Sequence, residues 1–211
     1  MNIIIINNYF KRKNLRRVDK IADALRKLGK YNYKIFHVSE FGEKEILGEA
    51  KTVILSGSSA SFVHPKADQP DYTAEVELIK KIKIPILGVC FGHQLIGKAF
   101  GSQIQDLGFL VSGFEKVEIV EPNDIFSSWG RGCEIVVDQN HRDCLDNLPE
   151  DFVLLARSQT CKIEAMKHRN KPVYGVQAHI ERATDEIPYG FRVLENFISN
   201  AVEREAPQGV D

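Results

Sequence analysis

The sequence predicts an α/β protein with a mostly parallel central sheet, helices on both faces and an antiparallel extension, and two features of the chain predict it. The first is a set of four short runs, at residues 3–6, 33–38, 53–55 and 86–89, nearly continuous in apolar side chains and separated by helical or long crossover segments. Strands that are apolar on both faces belong in a parallel sheet covered by helices on either side. The second is a change of character past residue 115. Short runs at 116–120, 134–137, 152–156, 163–167 and 173–177 follow one another through turns such as Leu148-Pro149-Glu150 and Arg169-Asn170-Lys171-Pro172. Tight turns between short strands point to an antiparallel addition to the sheet.

Each element follows from its local pattern. Ile3-Ile4-Ile5-Ile6 opens the chain as a β-branched strand. An Asn-rich basic loop leads to Leu15, Val18, Ile21, Ala22, Leu25 and Leu28 at helical spacing, ended by Gly29. Val76, Ile79 and Ile82 mark one face of a second helix that the spacing carries to Ile84-Pro85. A third begins near His93 and runs through Leu95, Ile96, Ala99 and Phe100. The last, from Tyr189 to about Glu203, sends Phe191, Val193, Leu194, Phe197 and Ile198 toward the core. Residues 1–205 read as one domain without internal repeats, followed by a polar tail at 206–211.

Composition excludes several classes of function. The 211 residues suit one domain, and 43% hydrophobic content is ample for its core. Lys and Arg number 28 against 29 Asp and Glu, a net charge of −1, so there is no global field to hold nucleic acid or an anionic membrane. The apolar run at 3–6 is far too short to span a bilayer and no basic-plus-apolar leader precedes it, so a cytoplasmic protein is expected. Cys90, Cys133, Cys144 and Cys161 are irregularly spaced with no C-x-x-C, which argues against both a disulfide framework and a four-cysteine zinc site. In a reducing compartment most would be buried thiols, but one set on a tight turn would be a candidate nucleophile.

Gly88-Val89-Cys90-Phe91-Gly92 is such a turn, between an apolar strand and a helix. In a G-x-S-x-G elbow, glycines on either side permit a strained turn that lifts the central side chain out of the sheet. With cysteine at the centre, the positive end of the following helix is expected to favour the reactive thiolate. The backbone N–H of Phe91 would then face a developing oxyanion. The plain alternative is a small buried thiol whose glycine neighbours serve only close packing.

A thiolate nucleophile needs a base oriented by a third group. His179 follows the last apolar strand in Gly175-Val176-Gln177-Ala178-His179-Ile180-Glu181. In extended chain, residues two apart share a face, so Glu181 is expected to reach the His179 ring and fix its tautomer. Without Cys90 the same two residues would read as an exposed ion pair.

These motifs resemble those of the class I (triad) glutamine amidotransferases, which carry G-x-C-x-G-x-Q and, later, G-V-Q-F-H-P-E. The resemblance runs from the first strand to the helix at Val193, with the motifs in family order. It implies the family's flavodoxin-like architecture and glutaminase chemistry, with L-glutamine as substrate. By position Cys90 matches the nucleophile, His179 the base and acid, and Glu181 the carboxylate that orients it. Gln94 matches the residue that helps to hold substrate glutamine. Ser56-Gly57-Ser58 stands where the family has S-G-G-P, so Gly57 and Ser58 join Phe91 as the implied oxyanion hole. Asn140-His141-Arg142-Asp143 stands where it has S-H-x-D, so Asn140 and His141 are implied to contact the amino-acid end of glutamine.

The stretch from Leu148 through Gln177 is similar to the separate amidotransferase subunit of archaeal-type GMP synthetases. That resemblance implies an ATP-dependent synthetase partner. No complete G-x-x-x-x-G-K-[ST] phosphate loop occurs in the chain, so ATP and magnesium are expected on the partner, with no cofactor or metal here. Ala178 and Ile180 replace the motif's Phe and Pro, and Arg182-Ala183-Thr184-Asp185 replaces V-x-H-T. Two alternatives therefore stand: an amidotransferase-like protein serving another acceptor, and a catalytically silent binding or regulatory module on the same fold. Ser56 to Ser61 lacks the lysine and glycine spacing of a phosphate loop, and His141 with Cys144 lacks a second ligand pair for a metal. Lys11, Arg12, Lys13, Arg16 and Arg17 read as a solvated helix start or a face for an acidic partner.

Overall fold

A computed structural model describes residues 2–10, 15–40 and 50–203, with side chains to 200. Lys11, Arg12, Lys13 and the tail at 206–211 lie outside the described residues. Nine strands occur among those described: β1 (Asn2–Asn7), β2 (Asn32–His37), β3 (Thr52–Leu55), β4 (Ile86–Val89), β5 (Ile104–Ile119), β6 (Glu134–Leu145), β7 (Phe152–Arg157), β8 (Ala165–His168) and β9 (Val173–Val176). They form one sheet in the order β2-β1-β3-β4-β9-β8-β7-β5-β6. Pairing is parallel from β2 to β9 and antiparallel from β9 to β6. Strand β9 is thus the seam, parallel to β4 on one side and antiparallel to β8 on the other.

The helices are α1 (Leu15–Leu28), α2 (Thr73–Lys81), α3 (Phe91–Ala99) and α4 (Tyr189–Glu203). Side chains alternate across a strand, so the isoleucine run of β1 feeds two cores. Ile3 and Ile5 join Val18, Ile21 and Leu25 of α1 and Leu194 and Phe197 of α4. Ile4 and Ile6 join Leu78 and Ile79 of α2 and Leu95 and Ile96 of α3. Burying each such side chain contributes about 2 kcal/mol, which is why a run apolar on both faces becomes an inner strand.

Two elements differ from the sequence expectation. Helix α2 stops at Lys81 rather than at Ile84-Pro85, because Ile82 is already extended (φ −62°, ψ 138°) while its N–H still caps onto Leu78. The antiparallel arm is far longer than the expected 116–120 and 134–137, with 16 residues in β5 and 12 in β6. Its register shifts between Asp106 and Val111, and Gly108 takes a positive φ of 81° there. Phe109, Leu110 and Phe114 stand 52%, 60% and 47% exposed, so the polar–apolar alternation that marks a strand is absent over that stretch.

Candidate active site

Candidate residues gather beyond the carboxyl ends of β1, β3, β4 and β9, where open α/β sheets place their ligands. One residue makes the turn from β4 to α3. Cys90 has φ 52° and ψ −105°, a conformation that costs a non-glycine residue about 1–3 kcal/mol. The flanking glycines make the turn possible by removing bulk. A Cβ on Gly88 would lie 2.4 Å from the Gly92 backbone, and one on Gly92 would lie 2.5 Å from Leu55 O. The Cys90 N–H donates to Val176 O of β9 at 2.8 Å, tying the elbow to the seam strand. Phe91 opens α3, so helix formation leaves its N–H without an intrahelical partner, beside the Cys90 side chain.

Register Val89↔Val176 brings the residues after β4 and after β9 out of the sheet side by side. The His179 N–H donates to Asp138 O of β6 at 2.8 Å. Beyond β9 the chain is not extended as the two-residue spacing suggested. Glu181 lies in a single 3-10 turn, Ile180–Arg182, with His179 as its N-cap residue. That turn folds the carboxylate back, so His179 Nδ1 and Glu181 Oε1 meet at 2.7 Å with both side chains buried. Burial opposes charge on the ring, but Glu181 and then Cys90 outweigh it and raise the His179 pKa. Burial likewise opposes charge on Glu181, and the facing imidazole with Arg182 brings its carboxyl below the ordinary value. Gly57 sits against this group: a Cβ there would be 3.0 Å from His179 Cε1 and 3.6 Å from Cys90 Cβ.

A chain of amides runs beneath the sulfur. Gln177 Nε2 lies 3.7 Å from Cys90 Sγ, and Gln94 Nε2 donates to Asp143 O at 2.8 Å and to Gln177 Oε1 at 3.3 Å. The Cys90 thiol in turn points at Asn140 O, 3.9 Å away. His141 holds Asp143 O through Nδ1 at 3.2 Å while its buried Nε2 has no partner. Burial pushes that ring's pKa down to about 4, so it is neutral. Ser58 Oγ is committed to Asn8 O at 2.6 Å, and it also accepts the Ala60 N–H at 3.1 Å.

Ser58, Cys90, Phe91, Gln94, Asn140, His141 and His179 line one cavity of about 320 Å³, a volume suited to an amino acid. Gly57 faces His179 and Cys90 at its edge, and Glu181 meets it only through His179. Arg17, Lys66, Arg142 and Arg182 also line it, giving a cationic rim. Three residues at this site are not singled out by the sequence pattern. Gln177 lies inside the histidine motif with no hint there of its contact with sulfur, and Arg182, 3.8 Å from Glu181, reads in the sequence only as a departure from the family pattern. Tyr9 had no signal in the pattern. Its hydroxyl lies 3.3 Å from the Gly57 Cβ position, and burial, with Cys90 and Glu181 nearby, pushes the phenol up to about 12. Among the described residues no group of three His, Cys, Asp or Glu is placed to hold a metal, and no helix is long and apolar enough to cross a membrane.

Comparison with known proteins settles the family. The model for glutamine amidotransferase class-I matches residues 14–201. The chain belongs to the class I glutamine amidotransferase family. This amidotransferase is similar to the glutamine-hydrolysing GMP synthase subunit of Methanocaldococcus jannaschii, with 35% identity over 180 residues, 85% of this chain and 89% of that one. It is 44% identical to the protein of the same description from Methanothermobacter thermautotrophicus over 122 residues, 58% of this chain. That second alignment spans 63% of the relative, less than two thirds of its length. Among solved structures, the amidotransferase superposes on a Thermoplasma acidophilum protein assigned to the same GMP synthase subunit. The TM-score is 0.82 at 27% identity, covering 99% of this chain and 97% of that one.

Proposed function

We propose that this amidotransferase hydrolyses L-glutamine to glutamate and ammonia through Cys90, His179 and Glu181, and delivers the ammonia to a synthetase that aminates XMP to GMP. The observation that carries the reading is the buried 2.7 Å contact of Glu181 with His179, set beside a cysteine on a strained elbow at the end of an amino-acid-sized cavity. Cys90 as thiolate attacks Cδ of the glutamine side-chain amide, and the charge moves onto the amide oxygen. The N–H groups of Phe91 and Gly57 receive that oxyanion, with Ser58 holding the loop. His179, charged and steadied by Glu181, gives its proton to the departing nitrogen, so ammonia leaves and a thioester remains. Water then attacks the thioester, His179 takes its proton, and glutamate and the thiolate are released. Asn140, His141 and Gln94 line the part of the cavity that would hold the amino-acid end.

The acceptor rests on the relatives described as glutamine-hydrolysing subunits of GMP synthase, which imply a second subunit carrying ATP, magnesium and the nucleotide. The β5–β6 arm suits a docking role, since Phe109, Leu110 and Phe114 leave apolar surface in water and Leu110 also lines the cavity. A synthetase covering this arm would close the cavity against loss of ammonia to solvent.

The test is glutamate release with and without a GMP synthetase subunit, ATP, magnesium and XMP. Stimulated hydrolysis coupled to GMP formation supports the proposal. Hydrolysis that ignores the synthetase points to another acceptor, and a protein that hydrolyses no glutamine under either condition is a silent module.

A further inference from the structure

Glu181 is a buried carboxylate with few groups to hold it. Its Oε1 accepts from His179 Nδ1 at 2.7 Å, while its buried Oε2 has no hydrogen-bond partner among the described residues. An ionised carboxylate taken out of water needs a countercharge as well as hydrogen bonds. His179 supplies that charge only while it is protonated, and in the mechanism above it gives its proton away. Four other cations line the cavity, namely Arg17, Lys66, Arg142 and Arg182. Three of them are engaged elsewhere: Arg17 lies over the Tyr9 ring, Lys66 Nζ donates to Ser59 O at 2.8 Å, and Arg142 Nε donates to Asp106 Oδ1 at 2.8 Å. The fourth faces the carboxylate. Arg182 Nε lies 3.8 Å from Glu181 Oε1, and its Nη1 lies 3.7 Å from Asp138 Oδ1.

We propose that Arg182 is a positioning residue: set between Glu181 and Asp138, its guanidinium supplies the lasting countercharge that keeps the Glu181 carboxylate turned toward His179. The arrangement closes on itself. Asp138 O accepts the His179 N–H at 2.8 Å, so one residue of β6 holds the histidine by its backbone and the arginine by its side chain. Arg182 ends the 3-10 turn, with its own N–H donating to His179 O at 3.0 Å. Its side chain is 24% exposed against 4% for Glu181, so the cation keeps part of its hydration while the carboxylate it serves is buried. Tyr9 after β1, Asp138 of β6 and Cys90 beyond the imidazole are the other titratable groups around this pair, and Tyr9, pushed up to about 12 by burial, is neutral. Of the helices packed against the turn, α1 commits Lys27 to Asp185 and α4 commits Arg192 to Glu195. The positioning role rests on the glutaminase reading above, whereas the ion pair does not.

Two measurements separate these. Arg182→Gln removes the charge and keeps a polar side chain, and Arg182→Lys restores a charge. In glutamine hydrolysis at pH 7, Arg182→Gln should lose about tenfold in kcat with KM within about twofold, and Arg182→Lys should recover to within about threefold of the wild type. Full kcat in Arg182→Gln, or an equal loss in both variants, would overturn the role, and a raised KM at unchanged kcat would overturn it by assigning Arg182 to the substrate. Stability reads the ion pair without substrate. The folded state holds the Glu181 carboxyl below its ordinary value of 4.5, so its stabilisation is present above that pH and is lost as pH falls through the folded value. Arg182→Gln should therefore melt about 3 °C below the wild type at pH 7, with the gap narrowing as pH falls from 4.5 to 3.5. In a Glu181→Gln background the same substitution should cost no more than about half as much at pH 7. A gap that ignores pH, or one undiminished in that background, would overturn the pairing with Glu181. Absence of hydrolysis in the wild type would refute the glutaminase reading alone, since the melting comparison still decides the ion pair.

Discussion

Gln177 Nε2 lies 3.7 Å from the sulfur of Cys90, and the other end of the same amide accepts a hydrogen bond from Gln94. A donor amide at that distance steadies negative charge on sulfur, and a hydrogen bond to a charged group contributes about 1.5 kcal/mol. Gln177→Leu should lower kcat for glutamine hydrolysis by about tenfold. Alkylation of Cys90 by iodoacetamide, followed by mass spectrometry, should slow in parallel. An unchanged alkylation rate would assign the amide to packing.

The elbow conformation reverses an ordinary preference. Alanine normally stabilises a folded chain more than glycine does by about 0.5–1 kcal/mol, but at φ 52° the Cβ is the source of strain. Cys90→Gly should therefore be more stable than Cys90→Ala by about 1 kcal/mol in urea unfolding, with both variants devoid of glutaminase activity.

His179 and Glu181 make a testable pair in pH. The folded-state pKa of His179 is raised, to about 10, so the stabilisation it provides is complete below the unfolded value of about 6.5 and is lost as pH rises between the two. Glu181→Gln removes the carboxylate behind the shift and should flatten urea-unfolding stability across that window. In activity, His179→Ala should cost about 10³-fold and Glu181→Gln between about 10- and 100-fold, because the second keeps a hydrogen-bond acceptor on the ring.

The exposed arm offers a separate test of partnership. Phe109 is half exposed on β5 and lines no part of the cavity. Phe109→Asp should leave basal glutamine hydrolysis as it is and weaken stimulation by the synthetase, with Kd raised at least about tenfold in a titration of that partner. Stimulation equal to the wild type would place the docking surface elsewhere.

The sequence made the elbow legible because its glycines have one physical use: Gly88 and Gly92 are where a strand and a helix touch backbone to backbone. The parallel half was equally legible, since runs such as Ile3-Ile4-Ile5-Ile6 are buried on both faces. His179 and Glu181 were paired correctly on the wrong backbone, because a 3-10 turn brings together residues that an extended chain also would. Glu75, Gln94 and Gln177 could not be read as interior groups, since polar residues in a pattern are taken as surface and only the fold shows them buried. The length of β5 was hidden for the opposite reason: Phe109, Leu110 and Phe114 are apolar where a strand's outer face is expected to be polar.

The seam position of β9 bears on how the enzyme comes into being. The strand inserts between β4 and β8, and the chain must be made past residue 181 before His179 and Glu181 exist to serve a cysteine synthesised much earlier. Contacts of such sequence separation form late in folding, after the loops between them have been closed. On the ribosome, the nascent chain therefore carries its thiol for much of its synthesis without the histidine that we propose as its base. Prematurely terminated products that lack β9 should accumulate as inert thiols rather than as unregulated consumers of cellular glutamine.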